Sequence, residues 1–420
     1  MEYERDEKRI LGVTGLAHFL THLYELSFPA LALTVRDDLG LSLAEVLRLS
    51  FLMYLFFGLG ALPMGLLADH WKAKSVLLVT LLGAGLGCLL VSRAGTPGQF
   101  AAALALVGVC ISGYHPAGMA LLSRGVRQRG RALGVNGVYG NLGSAMAPFI
   151  AGLLGYAVGW RGAYLCLGLL GLAGGLITLA IPIEEHRAGG GPARRAVNAP
   201  AHSSSGESPL GSFAVLCVAM LLAGFAYRGV ALVLPATFQE ETTFLSNFLQ
   251  RVHWTHLQGS ANLAATLIAS AVYAVGIAGQ LLGGHLADRH DLRKLYLCFH
   301  AASLPFVFAM GFLSEWGLVL AAGTYIFFAL GMQPIENSLV ARFTPERWRS
   351  TSYGIKFALN FGVGSMAVYG VAALHGEKGF LPVYVAVSCV VFLVCTTAAL
   401  LLLRTRGAAV RNEAAAALLS

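Results

Sequence analysis

The feature that most constrains this chain is a succession of long apolar runs with almost no charge inside them. Twelve can be marked, at 11–35, 45–68, 75–93, 99–122, 132–158, 162–183, 211–235, 262–287, 294–313, 316–341, 351–374 and 379–403. A helix of roughly 20 apolar residues crosses the hydrocarbon of a bilayer. The runs are continuous rather than alternating, so helices are expected and not a β-barrel. Only 12% of the 420 residues are charged, and 56% are hydrophobic. A soluble globule of this length could not hide that much apolar side chain. A cytosolic enzyme, a disulfide-framed secreted protein and a disordered chain are therefore excluded. The expected fold is all-α: a polytopic membrane protein of twelve transmembrane helices.

Residues 184–211 are rich in Gly, Pro, Ser and charge and read as a cytoplasmic linker. It divides the chain into an N-terminal six-helix bundle, 1–183, and a C-terminal one, 212–420. The apolar run after the charged first ten residues is too long for a signal-peptide core, so it is read as an uncleaved first span. All seven cysteines lie inside apolar runs with no C-x-x-C spacing. They read as small buried hydrophobes, with no disulfide and no thiolate metal centre.

Basic residues set the orientation. With the N-terminus inside, 21 of the 29 Lys and Arg residues fall on cytoplasmic segments. Both termini are therefore expected in the cytoplasm, in a multi-pass protein of the cell (inner) membrane. The same bias accounts for the net charge of +8 without nucleic acid as a partner.

An internal repeat follows spans two and eight. Gly65-Leu66-Leu67-Ala68-Asp69 and Gly284-His285-Leu286-Ala287-Asp288 share the pattern G-x-L-A-D, and basic residues follow both. Such a repeat suggests two pseudo-symmetric six-helix bundles. The paired loops, the twelve spans and the central linker resemble the major facilitator superfamily over the whole chain. The chain departs from that pattern where Lys72 and Asp291 replace the usual Gly three residues after the Asp. The resemblance implies that Asp69 and Asp288 gate cytoplasmic closure, with Arg129 or Arg131 as partners of Asp69. A simple helix-end charge is the plainer reading. Residues Gly143 to Gly152 in span five resemble the g-x-x-x-G-P-x-x-G-G motif, with Ala at two Gly positions. In the family that motif accompanies export; generic small-residue packing remains the alternative. Tyr114-His115-Pro116, with the Arg131-Ala132-Leu133-Gly134 entry to span five, looks like the fosmidomycin-resistance branch of drug:proton antiporters.

Ionisable groups inside spans are costly and usually face a cavity or one another. His18, His22 and Glu25 share one face of span one. Proton coupling, metal binding and ordinary interhelical hydrogen bonding all suit that face, and His115 has a similar claim to proton coupling. Tyr24-Glu25 and Tyr227-Arg228 occupy equivalent depths in spans one and seven, which meet across the cavity in the resembled family. A Glu25–Arg228 pair between the halves, broken in one access state, is one expectation; a permanent structural pair, or no contact, is the other. Glu336 and Lys356 stand near the inner ends of their spans as a gate or a neutralised helix contact. Glu25, Asn141, Arg228, Gln333 and Asn360 are candidate cavity groups for substrate, and an Arg228 released by protonation of Glu25 suits an anionic one. The segment 235–262 is unusually long for an outer loop and is read as an amphipathic cap or as extensions of helices seven and eight.

No G-x-x-x-x-G-K-[ST], H-E-x-x-H or G-x-S-x-G occurs, so no ATP engine, no cofactor and no enzyme are expected. The sequence reading is a monomeric secondary active transporter of a small organic molecule, with protons and the lipid bilayer as its partners. Export by proton antiport is the leading direction; proton-coupled uptake of a small anion or nutrient is the alternative, and an integral membrane enzyme stands behind both.

Overall fold

The computed structural model describes residues 3–185, 209–251, 261–345, 349–375 and 379–417. The side chains of Asp69 and Arg129 lie outside the described residues, as do most of the 184–211 linker and the 252–260 part of the long outer segment. Among the described residues the chain is helical, without strands.

The first span is α1 (Arg5–Leu39). Its start is fixed by a capping box in which the Glu7 carboxylate accepts the Glu4 backbone N–H, and it ends at Gly40, whose left-handed φ of 65° suits a residue without Cβ. The second span is built of three pieces, α2 (Leu43–Leu49), α3 (Phe51–Leu59) and α4 (Ala61–His70), jointed at Ser50 and Gly60. The third is α5 (Ala73–Ser92). The fourth joins α6 (Pro97–Ile111) to α7 (Tyr114–Gly125) through Ser112-Gly113. Spans five and six form one continuous stretch, α8 (Arg129–Ala180), which reverses at Gly159 with φ 71°.

Span seven is α9 (Pro209–Glu241), and the short amphipathic α10 (Phe244–Arg251) follows it. Span eight is α11 (Ala261–Ala287), nine is α12 (Leu292–Ala309) and ten is α13 (Glu315–Phe343). Span eleven changes hand-hold midway. After α14 (Arg349–Phe357) comes a π-helical turn at Ala358–Gly362, then a 3₁₀ turn at Val363–Met366, then α15 (Ala367–Leu374). Wide turns of this kind concentrate at functional sites. Span twelve is α16 (Leu381–Ala417).

Nine stretches among the described residues are long and apolar enough to cross a membrane, and the one at Arg131–Ala180 contains two passes. The passes missing from that set are α1 and α12. Their polar residues, His18, His22 and Glu25 in one and Arg293 and Lys294 in the other, lower the mean hydropathy. Within the 235–262 segment α9 runs on to Glu241, and α10 forms a separate amphipathic helix. Glu315 holds α10 in place by accepting the backbone N–H groups of Thr243 and Phe244 at 3.0 and 3.1 Å.

Helix α1 packs along α8, and α5 does the same; α11 packs on both α8 and α13; α16 packs on α9 and α12. Glycines set several of these approaches. A Cβ at Gly58 would fall on the backbone of Gly362, one at Gly143 on the backbone of Phe19, and one at Gly152 on Thr266. The small residues of span five thus bring it against spans one and eight. Pro148 interrupts the α8 ladder, and the neighbouring Phe149 N–H donates to Ser270 Oγ of α11 at 2.8 Å.

Candidate functional site

Twelve alternating passes put both ends of the chain on one face. Burial differs along the two central helices. Every residue from Leu23 to Leu33 in α1, and from Arg228 to Phe238 in α9, is buried. Side chains nearer the terminal face, among them His18, His22, His115, Tyr227, Gln333 and Asn360, keep part of their surface accessible. Along these two helices the far half is fully buried, and Glu25 and Arg228 stand where that burial begins.

Glu25 sits at that boundary, 1% exposed. One carboxylate oxygen accepts from Arg228 Nη2 at 2.7 Å, and the other meets His22 Nδ1 at 2.7 Å. The pair therefore joins span one to span seven. The Arg228 guanidinium lies 3.8 Å over the ring of Tyr54, a cation–π contact supplied by α3. The Tyr54 hydroxyl donates in turn to the Glu25 backbone carbonyl at 3.1 Å.

One turn closer to the terminal face, His18 Nδ1 lies 2.8 Å from the Asn136 carbonyl and 2.9 Å from its side-chain oxygen. Tyr114 donates to the same side-chain oxygen at 2.7 Å, and its ring stacks on His18. The fold brings His115 to this group from α7. One ring nitrogen from each of His18, His22 and His115 lies within 4.8 Å of the others. Three imidazoles at that spacing can pass protons among themselves or hold a transition metal ion. Sequence spacing had offered only the first two, because His115 comes from a different helix. His115 also stacks on Phe357 of α14, with centroids 4.6 Å apart.

A second buried centre lies in spans nine to eleven. Glu336, fully buried, receives Lys356 Nζ at 2.8 Å, Tyr296 Oη at 3.0 Å and Asn360 Nδ2 at 3.2 Å. Lys356 also donates to Asn337 at 2.6 Å. Asn360 stands in the π turn and so reaches Glu336. A separate amide chain links α8, α11 and α13: Asn141 Nδ2 donates to Gln280, and Gln280 Nε2 donates to Gln333 at 3.0 Å.

The candidates at the helix ends separate differently. Arg131 lies 5.3 Å over the ring of Tyr3. Asp288 is exposed. The expected pairing of Asp69 with Arg129 falls on side chains outside the described residues. Tyr54, Asn136, Gln280 and Tyr296 were not singled out from the sequence. Polar Gln280 and Asn136 inside apolar runs carried a usable signal; the two tyrosines carried none.

The Major Facilitator Superfamily model matches residues 14–244 and 216–419. The chain belongs to that family, a class of transporters rather than enzymes. Over 161 residues it is 27% identical to a probable L-galactonate transporter of Escherichia coli K12, covering 37% of this chain and 35% of that protein. Over 207 residues it is 32% identical to a probable nitrate/nitrite antiporter of Thermus thermophilus, covering 46% of each. The matches thus span less than half the length of these curated relatives. Among solved structures, a bacterial homologue of the human lysosomal transporter Spinster, inward-facing and unoccupied, superposes with a TM-score of 0.71 at 16% identity, covering 98% of this chain and 99% of that one. That likeness establishes the fold.

Proposed function

We propose that the protein is a proton-coupled secondary active transporter that exports a small organic molecule by antiport. The observation that carries this reading is the buried Glu25–Arg228 pair. It is an ion pair between the first and seventh spans, placed where the fully buried stretches of both spans begin. Two six-helix halves, 1–183 and 212–420, rock about this centre while the 184–211 linker keeps them joined. Both termini face the cytoplasm, and the protein works as a monomer in the cell (inner) membrane.

A proton arriving through His18, His22 and His115 neutralises Glu25 and frees Arg228, which loosens span one from span seven. A buried ion pair contributes little net stability against its desolvation cost, so retaining one across the moving interface suits a switch. Asn141, Gln333 and Asn360 supply polar contacts to the substrate. Glu336–Lys356 and the helix-end carboxylates Asp69 and Asp288 act in gating, with Arg129 or Arg131 as the partner of Asp69. Export is read from the Gly143–Gly152 segment and agrees with the antiporter among the relatives. The second reading, proton-coupled uptake of a small anion, draws on the cationic Arg228 at the centre.

The test is a substrate screen in proteoliposomes with an imposed pH gradient. Substrate-dependent proton movement is expected, opposite in sense to the substrate; the same sense would establish symport. Glu25→Gln transporting with unchanged pH dependence would overturn the coupling role.

A further inference from the structure

The guanidinium of Arg228 offers five N–H donors, and Glu25 uses one of them. The carboxylate does not form the two-bond fork usual for an Arg–carboxylate pair, because its second oxygen is taken by His22. Arg228 is 1% exposed, yet its Nε and Nη1 have no hydrogen-bond partner. The hydroxyl of Tyr273, a buried residue of α11, stands in hydrogen-bond reach of Tyr227 and in electrostatic reach of Arg228 and Glu25. Buried donors are nearly always satisfied, so the two left open on Arg228 indicate a missing acceptor.

The surroundings suggest the rest of that ligand. Tyr54 lies beneath Arg228, and Phe57 follows one turn along the same helix toward the terminal face. Phe57 lies 5.0 Å from Phe361, which parallels His115 and Phe357. An aromatic wall thus leads from the guanidinium into the partly accessible half.

We propose that Arg228 and Tyr273 form the headgroup site for an organic monoanion, with a carboxylate or sulfonate at Arg228 and a flat, apolar body against the Phe57–Phe361 wall. The proposal rests on the transporter reading above and narrows its substrate class. Carboxylate and sulfonate present the same oxygen acceptors to a guanidinium fork. The anion competes with Glu25 for Arg228, so neutralising Glu25 hands the whole fork to the substrate.

The experiment is equilibrium binding to the purified full chain in detergent, with no pH gradient, by calorimetry. The probes are benzoate, benzenesulfonate, benzyl alcohol and benzylamine. Benzoate or benzenesulfonate should bind, whereas the alcohol and the amine should bind at least about tenfold more weakly, the order of one charge-assisted hydrogen bond. Glu25→Gln should tighten anion binding. Because Arg228→Gln alone strands a buried carboxylate, the Glu25→Gln/Arg228→Gln double variant is the folded control, and it should lose the anion. Equal binding of the neutral or cationic probe, undiminished binding to the double variant, or no binding by any probe would overturn the proposal. Anion binding without proton movement in the proteoliposomes would instead sink the coupling reading and leave this one standing. Proton-coupled transport of neutral compounds without anion binding would do the reverse.

Discussion

Glu25 and Arg228, 203 residues apart in the chain, are held together by one 2.7 Å hydrogen bond between almost fully buried side chains. Removing one partner leaves an uncompensated buried charge, which costs about 3–5 kcal/mol. Arg228→Gln should therefore lower the melting temperature in detergent far more than the Glu25→Gln/Arg228→Gln double variant does. Equal losses would mean that the two charges do not depend on one another.

The Glu336 centre differs, because three side chains donate to its carboxylate. Lys356→Met and Glu336→Gln should each destabilise, and their double-mutant cycle should show coupling of roughly 0.5–3 kcal/mol. Additive effects in thermal unfolding would contradict the observed geometry.

Helix contacts through glycine give the third prediction. At Gly58 a methyl group would collide with the backbone of Gly362, which cannot swing aside as a side chain can, whereas at Gly134 a Cβ meets open space. Overpacking of this kind costs about 1–3 kcal/mol. Gly58→Ala should destabilise by that order, and Gly134→Ala should leave the melting temperature near the parent value or slightly above it.

Glu7 gives a pH dependence outside the membrane. Its carboxylate accepts the backbone N–H of Arg127 at 2.8 Å and that of Glu4 at 3.0 Å, and these bonds hold its pKa below the ordinary 4.5. A depressed carboxylate contributes stability above its unfolded pKa and loses it as pH falls through the folded value. Unfolding scans from pH 7 downward should show Glu7→Gln less stable than the parent at neutral pH, with the two converging in acid. A gap that stays constant with pH would remove the assignment.

The passes themselves were legible because a membrane helix must be apolar along its whole length, and hydropathy averages over that length. Joints inside passes, at Ser50, Gly60 and Ser112-Gly113 and in the π turn of span eleven, were not, because backbone torsion leaves hydropathy unchanged. The approach of Glu25 to Arg228 was one of two open expectations: the equivalence of the halves gave their matching depth, and only the family resemblance brought spans one and seven together. Tyr54 and Tyr296 had no such guide. They come from helices of ordinary composition, and only packing shows that one lies under a guanidinium and the other donates to a buried carboxylate.

The Gly159 reversal has a mechanical consequence. Spans five and six meet there without slack, on one residue whose left-handed torsion a side chain would strain. Span five bears on span eight through Gly152 and Asn141, and span six bears on α5 through Gly168 and Gly171. A tilt imposed on one must therefore pass to the other through that single residue, so that the pair forms a bent lever with its elbow on the far face.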